Sequence, residues 1–321
     1  MKDYTSKLDI ISLLADNQFH SGEHIGSVLG ISRAAVNNHI KVIQSWGLDV
    51  FRVQGKGYCL ANPIELLDLE KLAQYAEQNL IKLIPIIDST NQYLMDRIGD
   101  IDSGTVCLAE YQQQGRGRRG RKWISPFGSN LYLSMYWRLD AGLAAAMGLS
   151  LVVGIAIAET LKAFGCESVK VKWPNDIYIN DKKLAGILVE MTGQTGDAAH
   201  IVIGMGLNVS MTESVGQEID QPWTNIEKET SSIVERNELA GKLIQALQDI
   251  LNEYELVGLA GFKERWNQLD NYTDREVCLI IGNNQVKGVA QGIHEQGALM
   301  VKTKKGLQAF IGGEISLRKG N

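Results

Sequence analysis

The chain has 321 residues, 45% of them hydrophobic and 21% charged, and a formal net charge of -5. This composition supports packed cores in two or three domains and excludes global disorder; the acidic balance excludes a chain that coats nucleic acid over its whole surface and leaves such contact to a local patch. Cys59, Cys107, Cys166 and Cys278 stand far apart without a CxxC pair, which argues against a structural zinc site or a disulfide framework and for free thiols in a reducing compartment.

Residues 1–62 read as one small unit. The polar MKDYTSKLD start has no signal-peptide core, so a cytoplasmic protein is expected. Leu8, Ile10, Ile11, Leu13 and Leu14 form the apolar face of a first helix. A short helix follows over 21–30, stopped by Gly30. Ser32 then caps a third helix that turns Ala35, Val36, Ile40 and Ile43 inward. Two short strands around the tip Gly55-Lys56-Gly57 complete a winged helix-turn-helix, the architecture of a DNA reader. The exposed side of the third helix carries Arg33, Asn37, Asn38, His39, Lys41 and Gln44, with Ser32 and Ala34 at its start and Arg52 and Lys56 on the wing. Asn and Gln read adenine edges, and Arg and Lys meet guanine or phosphate. This segment holds six Lys/Arg and five Asp/Glu; a net of +1 is small for a lone DNA binder, so two copies acting together are expected. The same module also serves protein contacts.

Asn62-Pro63 punctuates the chain, and 63–82 reads as a linker helix. Residues 83–270 mix strands and helices, with strand-like runs at 105–109, 131–137, 184–190 and 201–209 and helical patterns at 144–164 and 238–255. They form an α/β domain with a substantial mixed sheet. The apolar stretch 141–158 is broken by glycines and runs into Glu159, which marks a buried helix and not a membrane span. From 271 to 321 short strands alternate with turns, beginning with a hairpin through Gly282-Asn-Asn284 and ending with a strand near Glu314–Leu317; a small β-barrel is expected.

Chemistry concentrates in two clusters. In Gly115-Arg-Gly-Arg-Arg-Gly-Arg-Lys122 five cations fall within the seven positions 116–122. Glycines let the backbone turn tightly, and arginine forks suit phosphate or carboxylate. Such a loop repels itself when empty, so order is expected to increase with an anionic ligand. The GxGxxG spelling at Gly115–Gly120 is not a Rossmann fingerprint, because Pro126 and Gly128 follow where a helix should open. A Walker A loop would need Gly-Lys-Ser/Thr, which is missing. The second cluster is Lys172-Trp-Pro-Asn-Asp176 with Lys183-Leu-Ala-Gly186. Lys172 ends a short strand, Asn175 and Asp176 fall after Pro174, and Lys183 opens the next strand. A carboxylate beside phosphates makes Asp176 a candidate for Mg2+. A plain hairpin with a solvated lysine is the competing reading.

Asp88-Ser-Thr-Asn91, Gly115–Arg121, Lys172–Asp176, Lys183–Gly186 and Gly204-Met-Gly-Leu-Asn208 together resemble the biotin protein ligase family. With the winged helix in front, the chain resembles that family's bifunctional enterobacterial ligase and biotin-operon repressors end to end. The resemblance implies a multidomain α+β chain with a class II synthetase-like centre and an SH3-like barrel at the end. It implies ATP, biotin and Mg2+, with biotinyl-5'-AMP as both intermediate and corepressor. Lys183, Arg118 and Arg121 would be catalytic. Ser89, Thr90, Asn91, Gln112, Gly115, Arg116, Lys183, Gly186 and Gly204 would hold biotin. Arg118, Arg119, Arg121, Trp123, Lys172, Asn175, Asp176, Asn208 and Trp223 would hold ATP or the adenylate. The implied partners are the biotin carboxyl carrier protein of acetyl-CoA carboxylase, operator DNA and a second copy of the chain in a ligand-induced homodimer. A lipoate ligase, or a ligand-sensing repressor without catalysis, are the alternatives.

Overall fold

The computed structural model describes residues 3–194, 196–281, 284–311 and the backbone of 315–319. The expected turn residues Gly282 and Asn283, and Glu314 at the start of the last strand, lie outside the described residues.

Three helices open the chain: α1 (Thr5–Leu14), α2 (Gly22–Leu29) and α3 (Arg33–Ser45). The Ser21 and Ser32 hydroxyls accept from His24 N and Ala35 N and so cap the second and third. Gly30, at φ 66°, supplies the left-handed residue that ends α2. Val36, Ile40 and Ile43 turn one side of α3 into a core with Ile10, Ile11, Leu14 and Ile25, which leaves Arg33, Asn37, Asn38 and Lys41 exposed. The hairpin β1 (Val50–Val53) and β2 (Gly57–Leu60) follows, so the helix-turn-helix and its wing form as expected. Two α3 side chains reach for the hairpin: Gln44 donates to Val50 O at 2.7 Å, and Tyr58 donates to Asn37 Oδ1 at 3.3 Å.

A continuous linker helix over 63–82 does not form. The Asp68 carboxylate caps a single turn, α4 (Leu69–Leu72), and a 3-10 turn follows at Gln78–Leu80. Upstream, Leu67 N donates to the Glu110 carboxylate and Glu65 accepts from Asn237, so tertiary hydrogen bonds take the backbone that a helix would have used.

The central sheet has seven strands in the order β3-β5-β7-β11-β10-β9-β8. These are β3 (Ile81–Leu83), β5 (Val106–Ala109), β7 (Asn130–Leu139), β8 (Val169–Lys172), β9 (Asp176–Ile179), β10 (Lys182–Thr192) and β11 (Ala199–Asn208). β3 and β5 run parallel and the other pairs antiparallel, so the sheet is mixed. A small parallel pair, β4 (Ile86–Ile87) and β6 (Tyr111–Gln112), lies beside it. The helices α6 (Leu149–Ala163) and α8 (Arg236–Val257) join one face in a continuous apolar core. The short helix α5 (Thr90–Met95) covers part of the other face, where Leu94 packs with Cys107, Tyr136 and Val202. Segment 212–231, polar in composition, contains α7 (Ile226–Thr230), anchored by the fully buried Ile226. After α9 (Lys263–Leu269) the chain enters a second sheet, antiparallel in the order β15-β14-β13-β12-β16. Its strands are β12 (Glu276–Ile281), β13 (Asn284–Ile293), β14 (Leu299–Thr303), β15 (Gly306–Phe310) and β16 (Ile315–Lys319).

The helix-turn-helix unit touches the central domain where the arginine loop is rooted. Trp46 lies 5.6 Å from the Tyr111 ring and 6.0 Å from the Phe127 ring, one on each side of that loop. Phe127 N also donates to Trp46 O at 2.9 Å. The two feet of the loop are therefore set against a rigid aromatic.

Candidate functional site

The free face of the central sheet is stripped of side chains at three neighbouring positions. Gly186 pairs with Gly206, and Gly204 pairs with Leu188 on one side and Ser134 on the other. A Cβ on Gly206 would stand 2.3 Å from the Trp123 ring, and one on Gly204 would stand 2.0 Å from Asn91 Oδ1. Trp123 and Asn91 thus lie directly on backbone, a close approach that glycine alone permits. Over this floor opens a cleft of about 570 Å³, a size suited to one small organic ligand with a nucleotide part.

One wall is the arginine loop. Its backbone closes as a small hairpin: Trp123 N donates to Gly115 O at 2.9 Å and Gly117 N to Arg121 O at 2.7 Å. The turn passes through Arg119 and Gly120, at φ 58° and 71°. Arg116, Arg118, Arg119 and Arg121 all face the cleft. Arg118 donates to Asn175 Oδ1 at 3.0 Å and so spans the cleft to the opposite wall. Burial holds its guanidinium below the ordinary value, Asp176 works against that and Arg119 adds to it; an arginine stays charged regardless.

The opposite wall comes from β8 to β10. Lys183 is held by backbone on both flanks: it pairs with Tyr178 of β9, donates from N to Pro222 O at 2.9 Å and accepts from Thr224 N at 2.9 Å. A register shift between Lys183 and Ala185 turns its side chain over the floor. The ammonium ends 2.8 Å from Asp176 Oδ1 and 5.5 Å from the centre of the Trp123 ring. Lys172 donates to Tyr178 OH at 2.9 Å. Burial, then the nearby Asp176 carboxylate, push that phenol well above the usual tyrosine range.

A polar shelf closes the far end. Thr90 N and Oγ1 both donate to Gln112 Oε1, at 3.0 and 3.1 Å, and Gln112 Nε2 donates to Ser125 Oγ at 3.2 Å. Ser89 caps α5 and also lines the cleft. Two buried donors at the site, Arg116 Nε and Trp123 Nε1, have no protein acceptor among the described residues. The arrangement offers cations for an anion in the middle and neutral donors and acceptors for a polar head at one end.

Most residues singled out in the sequence meet in this cleft, and three do not line it. Gly115 lies under the loop, where a Cβ would meet Trp123 O at 2.5 Å. Asn208 is buried and donates to Thr224 O at 3.0 Å. Trp223 rests on Gly216, and the chain around it forms the rung beside Lys183. Sequence reasoning missed Ser134, Glu190 and Tyr272. Ser134 is the one serine in the largely apolar run of β7, a signal visible in the sequence; Tyr272 reaches the cleft from beyond α9, which local sequence does not reveal.

The chain is similar to known proteins along its whole length. Residues 83–208 match the biotin/lipoate A/B protein ligase family, 273–318 a biotin protein ligase C-terminal domain, and 7–59 a helix-turn-helix domain. The chain is 55% identical to the bifunctional ligase/repressor BirA of Salmonella typhimurium and 53% identical to that of Escherichia coli, in each case over 99% of both chains. In structure it is similar to the biotin protein ligase of Aquifex aeolicus in complex with biotin and ATP, with a TM-score of 0.66 and 28% identity over 75% of this chain and 99% of that one. Helix-turn-helix, cleft-bearing mixed sheet and C-terminal antiparallel sheet follow one another in a chain that these relatives match end to end, and the chain belongs to the biotin protein ligase family, among its bifunctional ligase/repressors.

Proposed function

We propose that the chain activates biotin with ATP, transfers it to a lysine of a carrier protein, and represses transcription through its N-terminal domain. The observation that carries this is Lys183, fixed on both backbone flanks and facing Arg118 across a glycine floor. A biotin carboxylate oxygen attacks the α-phosphorus of ATP and pyrophosphate leaves, giving biotinyl-5'-AMP. The neutral amine of the acceptor lysine then attacks the acyl carbon, AMP leaves, and an amide remains. Negative charge grows on the phosphate oxygens in the first step, and Lys183, Arg118 and Arg121 supply fixed cations there.

Ser89, Thr90, Asn91, Gln112, Gly115 and Arg116 take the biotin head, with Gly204 leaving room for the Asn91 side chain and Gly186 for Trp123 and Lys183. Arg119, Lys172, Asn175 and Asp176 take the triphosphate side, with Trp123 in the floor, Asn208 fixing β11 and Trp223 the rung beside Lys183. Mg2+ fits as an ion carried in on the triphosphate: among the described residues no three His, Cys, Asp or Glu side chains gather as a cage, and one carboxylate with phosphate oxygens and water suffices for this ion. Asp176 is that carboxylate. Biotinyl-5'-AMP, by closing the arginine loop whose feet stand on Trp46, favours a homodimer that presents two winged helices to a two-fold operator. The acceptor is the biotin carboxyl carrier protein of acetyl-CoA carboxylase, a reading supported by more distant relatives named biotin–[acetyl-CoA-carboxylase] ligase. The domains are 1–62, a linker at 63–82, 83–270 with a class II synthetase-like core, and 271–321 as an SH3-like barrel. A cytoplasmic location follows from these partners.

The test is direct. With biotin, Mg-ATP and a carrier domain, mass spectrometry should show one biotinyl unit on one lysine. Transfer of lipoate instead of biotin would overturn the substrate, and no pyrophosphate release would overturn the enzyme. For the DNA arm, Arg33→Ala with Asn37→Ala should weaken operator binding at least about tenfold, since each base-edge pair contributes roughly 1–3 kcal/mol. Biotin transfer should stay at the wild-type rate. Unchanged operator affinity would remove α3 from the interface.

A further inference from the structure

Glu190 lies on β10 outside the lining of the cleft, yet two residues that do line it converge on its carboxylate. Arg116 Nη2 donates to Glu190 Oε2 at 2.7 Å, and Asn91 Nδ2 donates to the same oxygen at 2.9 Å. Asn91 is pressed over Gly204, and its Oδ1 accepts from Ser134 Oγ at 2.5 Å. Ser134 also lies 2.7 Å from Thr90 Oγ1, and Thr90 reaches Gln112. One carboxylate therefore stands at the root of the polar shelf and at the base of the arginine loop.

The charge matters at both ends. A carboxylate is an acceptor only, so the Asn91 amide must turn its NH2 toward Glu190, and its oxygen is left for Ser134. Together with Leu188 O, which the same Nδ2 reaches at 3.2 Å, this fixes the donor and acceptor order of the shelf. At the other end five cations crowd residues 116–122, and Glu190 holds the first of them to the sheet. With Nη2 engaged, the unpartnered Nε of Arg116 stays in the site.

We infer that Glu190 is a positioning residue for the acid substrate: through Asn91 and Arg116 it holds the polar head of biotin and leaves the nucleotide side untouched. This deepens the proposed ligase reading and rests on it. The contacts to the nucleotide side come from Arg118, which reaches across from the loop to Asn175, and from Lys172 and Asp176 on the opposite wall, whereas the carboxylate of Glu190 is engaged by Arg116 and Asn91.

The experiment is steady-state turnover by full-length Glu190→Gln with the carrier domain saturating, followed by pyrophosphate release, with biotin and Mg-ATP varied separately. The isosteric change removes the charge and keeps the volume. The biotin KM should rise about tenfold, the factor that goes with losing one charge-assisted hydrogen bond. The ATP KM and kcat should move less than about twofold, which is the pattern of lost ground-state binding to one substrate. Trypsin should cut at 116–122 faster, while the melting midpoint stays put. Glu190→Asp, which keeps the charge one methylene back, should recover part of the biotin KM. An unchanged biotin KM overturns the inference. So does an equal rise in both KM values, or a fallen melting midpoint with no recovery in Glu190→Asp. If wild-type protein releases no pyrophosphate with biotin, the ligase reading itself falls; a working wild type with a silent Glu190→Gln sinks only the role of Glu190.

Discussion

Replacing Lys183 with alanine is expected to slow formation of biotinyl-5'-AMP on the order of 10²- to 10³-fold, the cost of removing one fixed donor from developing oxyanion charge in a water-poor site. The size of the effect follows from how this side chain is held. Its backbone is a rung between β9 and segment 222–224, so a neighbouring lysine cannot swing into its place. Its side chain is largely buried, 15% exposed, and its ammonium lies between the Asp176 carboxylate and the Trp123 ring. The alanine variant loses the cation and also leaves Asp176 unbalanced, which turns a negative charge toward the incoming carboxylate and phosphate. Both changes raise the barrier more than they weaken substrate binding. The drop should therefore show chiefly in single-turnover pyrophosphate release at saturating biotin and ATP. Lys183→Ala should melt close to the wild type, because the backbone rung survives. A rate within about threefold of wild type would remove Lys183 from the reacting atoms.

How far the sequence foretold this site depends on what each residue needs. Ser32 and Gly30 act within a few residues of themselves, and capping and turn chemistry made both legible. Strand runs such as 131–137 and 201–209 carry continuous apolar signals, and both became strands of the central sheet. The basic loop and the two lysine segments stand out by composition, although nothing local says that they face one another across a glycine floor. Glycines 186, 204 and 206 gain meaning only from register, since the pairing of β10 with β11 makes the bare strip. The linker misled because residues 63–82 have a helix-like polar and apolar mixture, whereas Glu65 and Leu67 are committed to partners more than forty positions away. Glu190 escaped notice for the same reason: one acidic residue near the end of an apolar strand looks solvated until Arg116 and Asn91 are brought to it.

Replacing Glu110 with alanine is expected to destabilise the protein by roughly 3–5 kcal/mol, the range for breaking a buried ion pair from one side. Glu110 and Arg236 are each only 4% exposed and meet at 2.8 Å. The carboxylate also accepts from Leu67 N, and the same guanidinium donates to Asn130 O at 2.9 Å and to Glu65 O. Among the described residues Arg236 Nε already has no partner, and the acceptors that remain to the guanidinium when Glu110 is gone are the neutral carbonyls of Asn130 and Glu65. An uncompensated cation inside the core is the main cost, and it is incurred at a junction that matters for function. Glu110 immediately precedes β6, and its carbonyl accepts from Gly128 N at 3.0 Å. It therefore closes the base of the segment that bears the arginine loop. Urea unfolding should show the loss, and biotin affinity should fall with it as the loop's feet loosen. The paired change Glu110→Leu with Arg236→Met separates charge from shape. It removes both ions at similar volume and should be less destabilised than Glu110→Ala alone, because a buried ion pair stabilises little against apolar packing while half of one is costly. If the double variant is as unstable as the single one, the junction depends on hydrogen bonds to Leu67 and Asn130, and charge balance is secondary.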